Sequence, residues 1–385
     1  LHPDERFMLW VGSDISPVRT LSEYFDTAHS TLNPHNQGHK FYVYGTLPLF
    51  LVRYPVEWIY GHSGFIEMEN VGRPLSALMD LLTLLLVYVL GSTLYGRRTG
   101  ILAAAFYACS VLPIQLSHFY KEDTFASSFN LAALCIAAKV ATGRAVVRAG
   151  RLYFLSILFG LAAGAAAASK LTAVTVLPVL PCAFLLWVLA SPEENRRICI
   201  SIAVRCVLLA ALGAFIIFRL TQPYAFSGPG FFGTKLNPAW MSNLRELWHM
   251  SSGDVDYPPA LQWARRSIFY SGKNMLVWGL GPALGALSCL GCLWMLWKML
   301  GGECRKHIWL WSWAVAFFLW QSIQFNPTMR YQLPVYPAAT LFAAWAAVTA
   351  FDEVGRAGLL SGSGQRYSRA GVATLIGVIM LATLG

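Results

Sequence analysis

The chain has 385 residues, of which 56% are hydrophobic and only 12% charged. A soluble globular domain carries about a quarter charged residues, so this composition excludes an ordinary soluble enzyme and points to an integral membrane protein. The net charge of +10 is not a nucleic-acid footprint, because the basic residues sit mainly in short gaps between apolar runs, where topology is encoded.

In chain order, residues 1–73 form a first long polar segment with an acidic motif. Residues 74–219 hold apolar runs at 74–95, 100–119, 122–141, 152–169, 171–190 and 198–219. A second long segment, 220–273, follows, and 274–385 adds runs at 274–299, 307–324, 333–351 and 370–385. Crossing a bilayer takes roughly 20 apolar residues per helix. The expected fold is therefore an all-α integral membrane protein, a multispan bundle of about ten spans here. The chain starts at Leu1 and stops inside the run Ala370–Gly385, so it reads as part of a longer protein with eleven or more spans. The two long segments are rich in Trp, Tyr, Pro and Gly, including Trp58, Tyr60, Trp240 and Trp248. Stretches 44–60 and 239–250 read as helices lying in the headgroup layer.

The gaps divide by charge. One set holds Arg97 and Arg98; Arg144, Arg148 and Arg151; Arg196 and Arg197; Lys298, Arg305 and Lys306; and Arg356, Arg366 and Arg369. The alternate short gaps hold Lys121, Lys170 and Arg330. Under the positive-inside rule the first set is cytoplasmic, which puts residues 1–73 and 220–273 on the outer face. No cysteine falls in an outer segment, so no disulfide is expected, and Cys289-x-x-Cys292 reads as small hydrophobic residues inside an apolar run.

Charged groups beside apolar runs are costly and therefore candidates for function. They gather on the outer face: Asp4 and Glu5 in His2-Pro3-Asp4-Glu5; His118, Glu122 and Asp123 in His118–Thr124; Lys170 after the small-residue run Ala162–Ser169; and Arg330-Tyr331 in Asn326–Tyr331. An acid there can accept a proton from an attacking hydroxyl, and cations can stabilise a departing phosphate. Together they suggest transfer of a group from a lipid phosphate to an acceptor outside the cytoplasm.

Each feature also has a plainer reading. Asp4 and Glu5 can be a solvated acidic pair, Glu122 and Asp123 can favour a helix N-terminus by charge, and Lys170 and Arg330 can be snorkelling residues. The small residues read better as a close helix contact than as a ligand site. Asp254-Val255-Asp256 is a weak D-x-D pattern. His2, His35, His39, His62 and His118 show no zinc-ligand spacing, so no metal residue is assigned.

The order of these motifs resembles the C-type (GT-C) glycosyltransferase superfamily, in the polyprenyl-phosphate-dependent branch of the protein O-mannosyltransferases and the lipid A aminoarabinose transferase. His2-Pro3-Asp4-Glu5-Arg6-Phe7 resembles its first-loop acidic motif and His118–Phe125 its second. Ala168-Ser-Lys170-Leu-Thr-Ala173 is similar to its lysine turn, and Arg330-Tyr-Gln-Leu-Pro334 to its late Arg-Tyr element. The resemblance implies an inverting glycosyltransferase of hexosyl type in the cell membrane, acting on its non-cytoplasmic side. Its donor would be a polyprenyl-phosphate-linked sugar, and its acceptor a lipid, glycan or protein hydroxyl, with membrane lipid around it. Asp4 would be general base and Glu5 its helper or an acceptor contact. Glu122 and Asp123 would position acceptor or sugar, Lys170 and Arg330 would bind the carrier phosphate, and His118 and Tyr331 would be further substrate-binding residues. The second motif departs from relatives with one acid, because Lys121, Glu122 and Asp123 are adjacent. No cofactor is implied with certainty, and a divalent cation is left open. The alternatives from other classes are a transporter or flippase for lipid-linked sugars, and a structural subunit of a membrane complex. A transporter would place ionisable groups at mid-bilayer on repeated, broken helices.

Overall fold

The computed structural model describes residues 2–143, 149–254, 256, 258–356, 371, 374, 377–379 and 382. Helix α1 (Pro3–Asp14) opens the chain, followed by a short α2 (Leu21–Tyr24) and by α3 (Thr46–Tyr60). The first large bundle comprises α4 (Phe65–Tyr95), α5 (Arg97–Ala108), α6 (Val111–Ser117), α7 (Glu122–Ala141), α8 (Ala149–Ser169), α9 (Val179–Leu189) and α10 (Arg196–Thr221). The second long segment carries α11 (Pro238–Ser252), α12 (Pro258–Leu261) and α13 (Tyr270–Asn274). The bundle then closes with α14 (Pro282–Leu300), α15 (Cys304–Ser322) and α16 (Tyr336–Arg356). Among the described residues the sole β-pairing is the isolated bridge between Phe226 and Leu236.

Among the described residues seven helices are long and apolar enough to cross a membrane, and an eighth crossing is reached if the bent pair α5–α6 counts as one. The chain is a multispan, all-helical membrane protein. The first of the seven begins at Phe65 rather than at residue 74, so it starts well inside the segment expected to be loop. The expected span 100–119 is the bent pair, turned by 63°. Pro113 explains the break: its ring and missing N–H bar the regular bond to Cys109, and Ser110 turns extended. The expected span 307–324 is α15, whose length matches its neighbours but whose four tryptophans, His307 and Gln321 make it less apolar, and it is not among the seven. The run 370–385 lies largely outside the described residues. Stretches 44–60 and 239–250 are indeed helical, as α3 and α11.

Small residues set a close contact between α8 and α10. Gly160-Leu-Ala-Ala-Gly164 of α8 faces α10: a Cβ on Gly160 would lie 2.2 Å from the Ala210 carbonyl oxygen, and one on Gly164 2.0 Å from Ile217 Cγ2. Without a hydrophobic driving force in lipid, such backbone approach is what gains dispersion energy between helices. Gly164, within the small-residue run Ala162–Ser169, has the packing role expected of that run.

Charge separates the two ends of the bundle. At one end Arg98 lies 3.7 Å from Asp352 and Lys298 3.4 Å from Glu353. There Arg305 also donates to the carbonyls of Ala141 and Gly143. At the other end the first and second long segments fold together. Arg219, fully buried, donates to the carbonyls of Pro223, Gly230 and Phe231, while its guanidinium lies 4.7 Å from the Phe25 ring and 5.0 Å from Phe226. It thus pins both segments to the end of α10, and among the described residues it has no carboxylate partner, because carbonyl oxygens and ring faces satisfy the cation.

Candidate active site

The site is built at that second end by four separate turns. His2 caps α1, accepting the Asp4 N–H on Nδ1 at 3.2 Å, and Pro3 follows at the first helical position. This geometry suits a helix start and leaves Asp4 and Glu5 in the first turn, where their charge is favoured.

The two acids then diverge. Glu5, fully buried, accepts Arg73 Nε at 2.8 Å and Nη2 at 2.9 Å, and the Tyr120 N–H at 3.0 Å. It therefore ties α1 to α4 and to the residue just before Lys121. Burial pushes the Glu5 carboxyl up, but the Arg73 and Tyr120 donors outweigh it and hold it below its ordinary value. Asp4 instead turns to the second acidic motif. Arg330 Nη1 donates to Asp4 Oδ2, and Lys121 Nζ lies 3.4 Å from the same oxygen.

Lys121, Glu122 and Asp123 enter α7 with all three side chains buried. Lys121 bridges Asp4 and Asp123, with Asp123 Oδ2 at 3.7 Å, and lies 3.4 Å from His2 Nε2. Lys170, in the extended residue between α8 and the turn Leu171–Val176, donates to Asp123 Oδ1 and lies 3.8 Å from Glu122 Oε1. Arg330, in the turn Met329–Val335 before α16, also places Nε 3.3 Å from Asp123 Oδ2. The Tyr331 ring is shared by both cations, 4.6 Å from Lys170 Nζ and 5.2 Å from the Arg330 guanidinium carbon.

Three carboxylates (Asp4, Glu122, Asp123) thus face three cations (Lys121, Lys170, Arg330), and the formal charges cancel. Cancellation of this kind is what allows six ionic groups to be buried together. Burial pushes Asp4 up, but Arg330 and Lys121 more than offset this and hold it below the usual carboxylate range; burial pulls Lys121 down against the attraction of Asp123. The group borders a cavity of about 300 Å³, lined by Asp4, Glu122, Asp123, Lys170, Arg330 and Tyr331 on one side. The opposite side is formed by α11 and the end of α15. Gly45 seats the first long segment on the lysine turn, since a Cβ there would lie 2.0 Å from the Ala168 carbonyl oxygen.

The structure therefore brings Asp4, Glu122, Asp123, Lys170, Arg330 and Tyr331 together. Glu5 stands beside them with its oxygens already engaged. His118 stands apart: it is exposed, its Nδ1 lies 2.7 Å from the Ile114 carbonyl oxygen, and among the described residues no ion pair links it to the cluster. Asp254 is exposed and bonded by Ser252. Sequence reasoning did not single out Lys121 or Arg73 as site residues. Both were visible as lone cations beside apolar runs, the signal that picked out Lys170. It also missed Tyr44, which lines the cavity beside Asp4 and carries no charge to flag it. Among the described residues no group of three His, Cys, Asp or Glu is arranged to hold a metal ion.

Residues 59–220 match a family model described as dolichyl-phosphate-mannose-protein mannosyltransferase. No curated protein matches the sequence. Among solved structures, the chain is similar to the Archaeoglobus fulgidus oligosaccharyltransferase in its apo form, at 14% identity and a TM-score of 0.60 over 98% of this chain and 51% of that one. It is similar to AglB of the same organism in complex with an inhibitory peptide and a dolichol-phosphate (16%, TM-score 0.60, 98% and 51%). It is also similar to ArnT from Cupriavidus metallidurans bound to undecaprenyl phosphate (13%, TM-score 0.54, 99% and 72%). The chain spans about half the length of the archaeal proteins.

Proposed function

We propose, from a chain that shares the fold of the C-type glycosyltransferases and resembles that superfamily in sequence, that it moves a sugar from a polyprenyl-phosphate carrier to an acceptor hydroxyl on the non-cytoplasmic face. The observation that carries this reading is the convergence of Asp4, Asp123, Lys170 and Arg330, distant in sequence, on one cavity at the end of the bundle away from the paired-arginine loops. The neighbours' bound dolichol-phosphate and undecaprenyl phosphate support a lipid phosphate as the donor's leaving group.

In the proposed step the acceptor O–H gives its proton to an Asp4 oxygen. The acceptor oxygen bonds to the anomeric carbon as the bond from that carbon to the phosphate oxygen breaks. The phosphate leaves with the electron pair and is held by Lys170 and Arg330, whose charges suit an oxyanion growing more negative. Attack opposite the leaving group inverts the anomeric centre. Glu5 acts by holding Asp4 and the start of α7 in register rather than by touching substrate. Against a transporter, the ionic groups that border the cavity cluster at one end of the helices, while Asp80, midway along α4, is bonded by the Tyr107 hydroxyl at 2.7 Å and belongs to no such cluster.

Turnover of a short-chain polyprenyl-phosphate sugar by purified protein tests the proposal. Loss of a positioned general base costs roughly 10²–10⁴ in rate, so Asp4→Asn should lose that much while keeping its fold. Full turnover in Asp4→Asn removes the base, and no release of sugar from several donors by folded wild-type protein removes the transferase.

A further inference from the structure

Residues 40–46, in the connection that leads into α3, are tied down along their length. Asn243 of α11 donates to the Lys40 carbonyl at 3.0 Å and accepts the Tyr42 N–H at 3.1 Å. The buried Tyr42 hydroxyl donates to the Gly45 carbonyl at 3.3 Å, and Gln222 Oε1 accepts the Thr46 N–H at 2.6 Å. What these bonds fix is Tyr44. Its ring packs against Phe7, one helical turn beyond Asp4, at 5.8 Å, and against Tyr42 at 6.0 Å. The next residue, Gly45, touches the backbone of Ala168 and Ser169, just before Lys170. Tyr44 is therefore wedged between α1 and the lysine turn and lines the same cavity as Asp4, with its phenol hydrogen-bonded to the Asp4 side chain. Burial and the neighbouring Glu122 and Asp4 carboxylates push the phenol well above its ordinary value. It stays protonated at neutral pH and serves as a hydrogen-bond donor, never as a base.

A carboxylate that acts as base must keep a lone pair aimed at the acceptor, and rotation about its last bond loses that aim. Arg330 and Lys121 both meet Asp4 at Oδ2, and a lipid phosphate in the cavity competes for Arg330. An arriving anion pulls a neutral donor far less than it pulls a guanidinium. We propose that Tyr44 is the positioning residue of the base: its hydroxyl holds the Asp4 carboxylate in the orientation that takes the acceptor's proton while the donor phosphate engages Arg330. This inference rests on the transferase reading. The proton passes from the acceptor hydroxyl to Asp4, and the phenol keeps its own throughout. A bond to the charged form makes Asp4 slightly less basic, so the benefit of the phenol lies in orientation.

The test compares turnover of a short-chain polyprenyl-phosphate sugar by purified wild type, Tyr44→Phe, Asp4→Asn and the double variant. Tyr44→Phe keeps the ring and its packing and removes only the hydroxyl. Its kcat should fall about ten- to hundredfold, the worth of one hydrogen bond to a charged group. Its kcat/KM should fall by the same factor, the pattern of an interaction that counts only in the transition state. A residue that works through Asp4 has no base left to aim once Asp4 is replaced. Adding Tyr44→Phe to Asp4→Asn should therefore change the rate by less than about twofold. Full turnover in Tyr44→Phe overturns the positioning role. So does a double variant slower than Asp4→Asn by the whole factor seen in Tyr44→Phe alone, because the phenol then acts on substrate or on the fold and not through Asp4. A wild type that releases no sugar overturns the transferase reading itself, and full turnover in Asp4→Asn overturns its base; the role of Tyr44 falls with either.

Discussion

Asp4 and Glu5 are adjacent in sequence and meet opposite surroundings, and the difference follows from what each can reach. Glu5 is saturated by one guanidinium and one backbone N–H, which makes it a clamp. Its carboxyl is held below its ordinary value, so its stabilisation is complete above the unfolded value of about 4.3 and is lost as pH falls through the lower folded value. The thermal midpoint should accordingly stay flat from about pH 8 to 5 and fall only in stronger acid. Glu5→Gln should cost roughly 1.5–3 kcal/mol at neutral pH, the range for hydrogen bonds to a charged group, and blunt that acid sensitivity. A midpoint in Glu5→Gln that tracks wild type through the acid range would remove the clamp. Asp4, Lys170 and Arg330 were legible as candidates because isolated charge beside an apolar run is costly enough to be informative. The Glu5–Arg73 bond was not, because nothing in a spacing of 68 residues says that two side chains meet. Nor was the approach of the Tyr44 phenol to Asp4, since a tyrosine carries no charge to mark it.

At the scale of elements, the helices obeyed hydropathy where backbone and side chains agreed and departed from it where one residue overruled the pattern. Pro113 split one expected span into α5 and α6, and tryptophans and polar residues reduced the apolarity of α15. The extra turns at the start of α4 were hidden because Glu67, Glu69 and Arg73 read as loop. In the helix they lie along its first turns, where Arg73 pairs with both Glu5 and Glu69. The small-residue run of α8 that holds Gly164 was readable, and it makes a prediction of its own. Gly164→Val drives a side chain into Ile217 and the Ala214 carbonyl, and overpacking of this kind costs typically 1–3 kcal/mol. The thermal midpoint of purified protein should fall accordingly. An unchanged midpoint would mean that α8 and α10 can separate without loss.

For the molecule as a whole, the alternation of basic gaps was the most dependable feature of the sequence, because each loop's charge is fixed independently of packing. The same ends that charge separates in sequence are separated in the fold: Arg98, Lys298 and Arg305 gather at one, and Lys121, Lys170 and Arg330 at the other. If the proposed orientation holds, a membrane-impermeant thiol reagent added to intact cells should label Glu23→Cys and spare Arg98→Cys. The reverse pattern would put the cavity in the cytoplasm. The balance of charge in the cavity carries a consequence for how any anionic donor must enter. Three acids already occupy the three cations, so a lipid phosphate cannot simply be added; it has to exchange with a resident carboxylate. When it takes Arg330 from Asp4, it also removes one of the two cations that keep Asp4 acidic, and the proton affinity of that carboxylate rises. Under the proposed reaction the base is therefore weak in the empty enzyme and strengthens only with the leaving group in place, so proton abstraction is coupled to binding of the donor phosphate.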